Sequence, residues 1–169
     1  MKSKIFLSAA MALALAACGT TSSSKSPTNV VQTKPKAVVG LALGGGASKG
    51  FAHIGVIKVL RENNIPVNIV TGTSAGAVVG SLYASGMSPD RLELEAQILD
   101  QTNLVDLTLS TSGFIKGQKL QDFINAKVKN RQLQQWPIKL GAVATEFGTG
   151  RMVNFTQGNT GQAVRASVS

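Results

Sequence analysis

The segment Gly72-Thr73-Ser74-Ala75-Gly76 constrains the fold of this 169-residue chain more than any other. It lies between a short β-branched run at residues 67–71 and a stretch of small residues at 75–85. The pattern Gly-x-Ser-x-Gly is typical of a sharp strand-to-helix turn that exposes a serine hydroxyl at the carboxyl edge of a sheet. The N–H groups that begin the following helix face the same point. The pattern alone is weak, and its place between a strand and a helix makes Ser74 a candidate nucleophile.

Predicted strands and helices alternate through the rest of the folded region. Apolar runs predict strands at residues 37–43, 67–71, 137–145 and 152–156. Helical patterns occupy residues 51–63, 75–85, a segment opened by Ser88-Pro89-Asp90, and 117–129. This alternation is the signature of a parallel sheet covered by helices on both faces. The sequence therefore predicts an α/β fold with three layers.

The predicted helix after Ser74 has an almost bare ridge. Gly76, Gly80 and Ala84 recur every four residues. Glycine costs about 1 kcal/mol relative to alanine inside a helix, so two glycines indicate a steric demand. We expect this ridge to lie close against the sheet; a merely flexible helix is the alternative.

The amino terminus resembles that of a bacterial lipoprotein. Lys2 and Lys4 precede an apolar stretch at residues 5–17, which is shorter than the ~20 residues needed to span a bilayer. The stretch ends in Leu-Ala-Ala before Cys18, the single cysteine of the chain. We expect a signal peptide at 1–17, with Cys18 carrying the lipid anchor; an ordinary signal peptide is the alternative. Because Gly19 follows the cysteine, the resemblance favours the outer membrane of a bacterial cell envelope.

A polar tether separates this anchor from the folded region. Residues 18–36 are rich in Thr, Ser, Pro and Lys and cannot bury enough surface to fold, so we expect one domain at 37–169. The formal net charge of +9 falls by two, to +7, when the two lysines of the signal leave. Lys25, Lys34 and Lys36 of the tether would lie near anionic headgroups. We expect membrane lipid as the partner and no nucleic acid, because no basic stripe carries interleaved aromatic residues.

A second glycine-rich segment, residues 44–50, follows the first predicted strand. Its spacing fits neither the dinucleotide pattern G-x-G-x-x-G nor the phosphate loop, which requires Lys where Phe51 stands. What remains is a turn that exposes backbone N–H groups at a helix amino terminus, and such a turn suits an anion.

Together, these motifs resemble the patatin-like phospholipase family. The first motif comprises Gly44 to Gly50, including Lys49-Gly50, and the second is the segment around Ser74 bounded by Gly72 and Gly76. Residues 142–146 and 163–167 also resemble the family, so the resemblance covers residues 37–169. Ala47 departs from the pattern, since the family usually has a third glycine there. Because alanine tolerates positive φ poorly, we expect a slightly different loop shape.

The resemblance implies a Ser–Asp dyad, and the chain itself argues against a Ser-His-Asp triad. Its single histidine is His53, so no histidine follows Ser74, and no aspartate precedes His53 or lies between His53 and Ser74. These positions exclude each of the known chain orders of a triad. His53 shares a helical face with Ile57 and Leu60, so we interpret it as a half-buried structural residue.

The aspartate of the dyad is not assigned. In the family it belongs to an Asp-Gly-Gly or Asp-Gly-Ala turn, which the resemblance places beyond Ser169. None of the aspartates in the predicted domain precedes a glycine: Asp90, Asp100, Asp106 and Asp122. No closing helix is predicted before Ser169, and we expect the chain to be a fragment; a short inactive protein is the alternative.

The expected activity is hydrolysis of lipid carboxylic esters of the phospholipase A or lysophospholipase type. Gly45, Gly46 and Ala75 would supply oxyanion-hole N–H groups. Lys49 either approaches the oxyanion or a lipid phosphate, or extends into solvent. No metal or cofactor is expected, since no ligand spacing is present. The alternative function is that of a catalytically inactive lipoprotein that keeps the fold as a binding or scaffold module.

Overall fold

The structure, a computed structural model, describes residues 36–102 and 111–169, with the backbone alone over residues 111–116. Its sheet has four strands in the order β1-β2-β3-β4. They are β1 (Gly40–Leu43), β2 (Ile69–Thr73), β3 (Lys139–Thr145) and β4 (Met152–Phe155). The pairs β1–β2 and β2–β3 are parallel, with Leu43 opposite Gly72 and Thr73 opposite Val143. The carboxyl ends of β1, β2 and β3 therefore meet at one edge of the sheet.

The fourth strand runs in the opposite direction from the other three. β4 pairs antiparallel with β3, with Thr145 opposite Met152. The predicted parallel pairing holds for β1, β2 and β3 but not for β4, because the link at residues 146–151 is too short for the crossover that parallel strands require. The sheet is mixed and mostly parallel, and the predicted α/β class is confirmed.

Helices connect and flank the strands. α1 (Gly50–Glu62), α2 (Ala75–Ala84), α3 (Pro89–Gln101) and α4 (Thr111–Lys127) occupy the four predicted helical regions. The α3 cap is as predicted, because the Ser88 hydroxyl accepts a hydrogen bond from the Arg91 N–H. None of the described helices combines the length and the apolar character needed to cross a bilayer.

A fifth helix lies at the end of the described chain. The sequence predicts no closing helix before Ser169, and this prediction is wrong. α5 (Thr160–Val168) begins after Asn159, whose side chain accepts a hydrogen bond from the Gln162 N–H. It buries Ala163 and Val164 against the core. In the sequence, Asn159 could have indicated the start of this helix, because asparagine is a preferred capping residue. The helix has few large apolar residues, so its sequence shows little helical periodicity.

Helix α2 crosses the sheet along its bare ridge, as predicted. A Cβ added to Gly80 would lie 2.9 Å from Cγ1 of Val70 on β2, closer than real Cβ atoms approach. Ala84, next along the ridge, is fully buried. Gly80 is therefore required because a larger residue would collide with β2, and the alternative of a merely flexible helix is not supported.

Helices α3 and α4 are joined by a buried carboxylate. Glu95 is fully buried, and its oxygens lie 2.6 Å from the Arg91 guanidinium and 2.8 Å from the Lys127 ammonium. A charge placed away from water needs such partners, and the pair with Lys127 ties α3 to α4.

Candidate active site

Ser74 occupies the junction between β2 and α2 with a strained backbone. Its φ is 53° and its ψ is −119°, a combination that non-glycine residues rarely adopt. The carbonyl of Ser74 accepts hydrogen bonds from the N–H groups of Ala77 and Val78, at 2.8 and 3.1 Å. Within the described part of the chain, the half-buried Ser74 side chain makes no capping bond to its own helix. The hydroxyl is thus left available at the carboxyl edge of the sheet.

The two glycines that flank this turn allow close backbone contacts. A Cβ on Gly72 would overlap the carbonyl of Gly76, the second residue of α2. A Cβ on Gly76 would overlap the carbonyl oxygen of Leu43, at the end of β1. The strand, the turn and the first turn of α2 are therefore packed backbone against backbone. Such packing holds Ser74 in its unfavourable conformation.

Ser167, which the sequence did not single out as a site residue, also holds this turn. The N–H of Ser74 donates to the hydroxyl oxygen of Ser167 at 2.9 Å. That hydroxyl in turn donates to the carbonyl of Val143 on β3 at 2.5 Å. Ser167 is 7% exposed, so water hardly competes for these bonds. The sequence marks residues 163–167 only through their resemblance to a family motif.

The glycine-rich turn lies directly beside the serine. A Cβ added to Gly45 would lie 3.4 Å from Cβ of Ser74 and 3.6 Å from the carbonyl oxygen of Thr73. Gly46 and Ala47 carry the bend, with φ values of 141° and 48°. Ala47 thus adopts the left-handed conformation that glycine would accept more readily. The two segments that the sequence marked as separate motifs meet in space.

His53 ties the glycine-rich turn to α1. Its ring Nε2 lies 2.8 Å from the carbonyl oxygen of Gly44. A carbonyl oxygen can only accept, so Nε2 carries the hydrogen and donates it. The side chain is half-buried. From the beginning of α1, His53 therefore holds Gly44, the first residue of the glycine-rich segment.

Two helix amino termini converge at this point. A Cβ on Gly50, the first residue of α1, would lie 3.2 Å from Cβ of Ala75, the first residue of α2. First-turn N–H groups have no partner within their helix, and the positive ends of both helix dipoles lie there. The exposed Lys49 precedes α1 and adds a formal positive charge. The electrostatics of the site favour a negative charge beside Ser74.

An apolar groove extends from the serine turn between α1, α2 and α3. Its lining includes Ala75, and it is completed mostly by carbon-rich side chains: Ala47, Phe51, Val78, Val79, Ala96 and Leu99. One carboxylate, that of Asp100 near the end of α3, also lines the groove. A hydrocarbon chain bonded at Ser74 would find an apolar surface here.

The described aspartates belong to helices, as predicted. Asp90 pairs with Lys58 at 3.6 Å, and Asp122 accepts a hydrogen bond from Gln118 at 2.9 Å. Asp100 reaches the groove, which the sequence did not indicate. Over residues 36–102 and 111–169, none of these carboxylates hydrogen-bonds to Ser74. Asp106 and Cys18 lie outside the described residues.

Comparison with known proteins decides the family. Residues 41–169 match the sequence profile described as patatin-like phospholipase. The chain belongs to the patatin-like phospholipase family. An uncharacterized NTE family protein of Mycobacterium tuberculosis is 36% identical over 133 residues, covering 78% of this chain and 37% of the relative. Patatin-like phospholipase domain-containing protein 7 of Rattus norvegicus is 33% identical over 137 residues, covering 78% of this chain and 10% of the relative.

Solved structures agree on the patatin-like fold. The type III effector ExoU of Pseudomonas aeruginosa superposes with a TM-score of 0.62 at 19% identity, over 78% of this chain and 40% of that chain. VipD from Legionella pneumophila gives a TM-score of 0.53 at 19% identity, over 76% of this chain and 41% of that chain. The patatin-like chain therefore spans well under half the length of these relatives.

Proposed function

We propose that this patatin-like chain carries the nucleophile of a serine acyl hydrolase that cleaves carboxylic esters of lipids. The observation that supports this most is the meeting of two motifs. Ser74 sits on a strained turn, and the backbone of Gly45 lies so near that an added Cβ would be 3.4 Å from Cβ of Ser74. A nucleophile and a set of N–H donors can thus address the same carbonyl group.

In the proposed reaction, the hydroxyl oxygen of Ser74 attacks the ester carbonyl and loses its proton to a base. The N–H of Ser74 is already bonded to Ser167, so it is not a donor to the oxyanion. Gly45 and Gly46 of the turn and Ala75 at the start of α2 are the proposed donors. Loss of one such donor typically lowers turnover about 10²- to 10³-fold. When the tetrahedral intermediate collapses, the bond from carbon to the leaving oxygen breaks and the protonated base gives its proton to that oxygen. The alcohol departs and an acyl ester remains on Ser74.

The proposed base is the aspartate of a Ser–Asp dyad, which the family resemblance places beyond residue 169. A carboxylate with an ordinary pKa near 3.9 is a weak base, so a dyad aspartate needs surroundings that exclude water and raise its pKa. The same carboxylate would then activate the water that hydrolyses the acyl ester and releases the acid.

The proposed substrate is a phospholipid or lysophospholipid. The groove beside Ala75, with Phe51, Val79 and Leu99 in its lining, suits the acyl chain of the ester. The positive ends of α1 and α2, with Lys49, suit a phosphate or the developing oxyanion. A lipid anchor on Cys18 would keep the enzyme at the outer membrane, where such substrates reside.

A fluorophosphonate probe tests the proposal in the full-length protein. We expect covalent labelling of the wild type and none of Ser74→Ala, with unchanged melting of the variant. Asp100→Asn is a matched control, because it changes the one described carboxylate that lines the groove. It should keep the wild-type labelling rate. Loss of labelling in Asp100→Asn would instead identify Asp100 as the base and contradict the assignment of the dyad.

The alternative is a catalytically inactive lipoprotein that uses the patatin fold as a binding or scaffold module. It predicts that the folded full-length protein remains unlabelled at any probe concentration that labels a serine hydrolase. That outcome would overturn the hydrolase proposal.

A further inference from the structure

Ser167 differs from Ser81 in α2 and from Ser85 at the end of α2 in what its hydroxyl binds. Serine hydroxyls in helices usually donate to a carbonyl about one turn back in the same helix. Ser81 and Ser85 do so, to Val78 at 2.8 Å and to Leu82 at 2.6 Å. The Ser167 hydroxyl instead leaves its helix and bonds to the backbone of two other elements.

The two partners of this hydroxyl lie at the ends of neighbouring strands. The paired part of β2 ends at Thr73, opposite Val143 of β3. At Ser74 the chain turns into α2, so its N–H leaves the path of the sheet ladder. The Ser167 hydroxyl accepts from the Ser74 N–H and donates to the Val143 carbonyl. The Ser167 hydroxyl therefore continues the hydrogen bonding between β2 and β3 by one step. A bridging water could do the same, but this hydroxyl belongs to a helix and is held in place.

We infer that Ser167 is a positioning residue for the Ser74 nucleophile. The inference rests on the proposed function of Ser74. It adds to the site a residue that lies outside both glycine motifs. By holding the Ser74 N–H, Ser167 fixes the peptide plane from which the nucleophilic side chain projects. It also keeps that N–H from competing with Ala75 and the glycine-rich turn for the oxyanion.

Positioning is the expected role because the Ser167 hydroxyl is already bonded both to a donor and to an acceptor. In this arrangement its own proton goes to Val143, so it is not a proton source for the reaction. A displacement of about 1 Å in a reacting group can lower a rate about 10²-fold. Removal of the hydroxyl should therefore act on the chemical step and leave substrate binding nearly unchanged.

The test compares Ser167→Ala with Ser167→Thr and Ser169→Ala in the full-length protein. Threonine keeps the hydroxyl, whereas Ser169 is an exposed serine whose hydroxyl bonds to Arg165 at the end of the same helix. With a soluble p-nitrophenyl ester, we expect kcat of Ser167→Ala to fall about 10²-fold at nearly constant KM. Ser167→Thr should recover most of the rate, and Ser169→Ala should match the wild type.

Hydrogen exchange of the Ser74 amide provides a readout that does not depend on activity. We expect Ser167→Ala to lose protection at this amide while amides in the middle of β3 keep theirs. Wild-type kcat together with a protected Ser74 amide in Ser167→Ala would overturn the inference, as would a raised KM at unchanged kcat. An inactive wild type with the expected exchange result would contradict the proposed function alone and support the link between Ser167 and Ser74.

Discussion

The two motifs of the site bend in similar ways but are held very differently. Ser74 and Ala47 are both non-glycine residues with positive φ, at 53° and 48°. The turn at Ser74 is enclosed by backbone contacts from Gly72 and Gly76 and by the Ser167 hydroxyl. The turn at Ala47 is exposed, and its described bonds include the Lys49 N–H to the Gly46 carbonyl and the His53 ring to Gly44.

The difference in packing indicates that the turn at Ser74 is rigid and that the glycine-rich turn is more flexible. An unfavourable backbone conformation persists only where the surrounding structure leaves no alternative. The close packing around Ser74 meets this condition. The exposed glycine-rich turn has fewer constraints and is freer to change its shape. A tightly packed turn and a loosely held one should therefore respond differently to substitution.

Gly76→Ala should have the largest effect. The added methyl would overlap the Leu43 carbonyl, whereas the Cβ of Ala at Gly55 in α1 would meet nothing within 4 Å. We expect Gly76→Ala to destabilise the fold by about 3 kcal/mol, at the upper end of the usual cost of overpacking. The control Gly55→Ala should stabilise it by up to about 1 kcal/mol, because alanine favours helix. Urea unfolding measures both, and equal free energies of unfolding would contradict the rigid-turn interpretation.

His53→Phe tests the exposed turn and should have an intermediate effect. It removes the donor to the Gly44 carbonyl, a hydrogen bond typically worth about 1 kcal/mol. We expect a small loss of stability but a clear fall in the probe-labelling rate, because the turn carries the proposed oxyanion donors. His53→Gln, which places an amide N–H near the same carbonyl, is the control and should retain more of the rate. Equal labelling by the two variants would contradict a positioning role for the ring.

Ala47→Gly should have the smallest effect. Glycine removes the steric cost of positive φ, roughly 1 kcal/mol, and this gain is partly offset by the greater freedom of the unfolded chain. We expect a slight stabilisation and an unchanged labelling rate, measured by urea unfolding and by the fluorophosphonate probe. A marked loss of labelling would show that the alanine methyl itself contributes to the site.

The local parts of this fold were accessible from sequence because their causes are local. The β-branched run before Gly72, the small-residue ridge of α2 and the Ser88 cap each depend on neighbouring residues. The direction of β4 and the presence of α5 were missed. The first depends on the length of a short link, and the second on a cap followed by few large apolar side chains.

The tertiary parts of the site could not be read from the sequence. The motifs around Gly45 and Ser74 indicated an anion-binding turn and a nucleophile. They did not indicate that the two turns would lie so close that a Cβ added to Gly45 would contact Ser74. The bridge through Ser167 joins residues 93 positions apart, and a serine in a helix gives no signal of such a bond. The placement of Asp100 in the groove likewise depends on how α3 packs.

The bridge from Ser167 to the bend at Ser74 has a consequence for biosynthesis. A nascent chain that has released β2 and α2 from the ribosome still lacks the hydroxyl that holds the Ser74 amide. Contacts between such distant residues form late, because a long loop must close before they do. The proposed nucleophile would therefore reach its final orientation only after nearly all of this segment has been translated. Any ester cleavage of the proposed kind would have to wait until the domain is assembled.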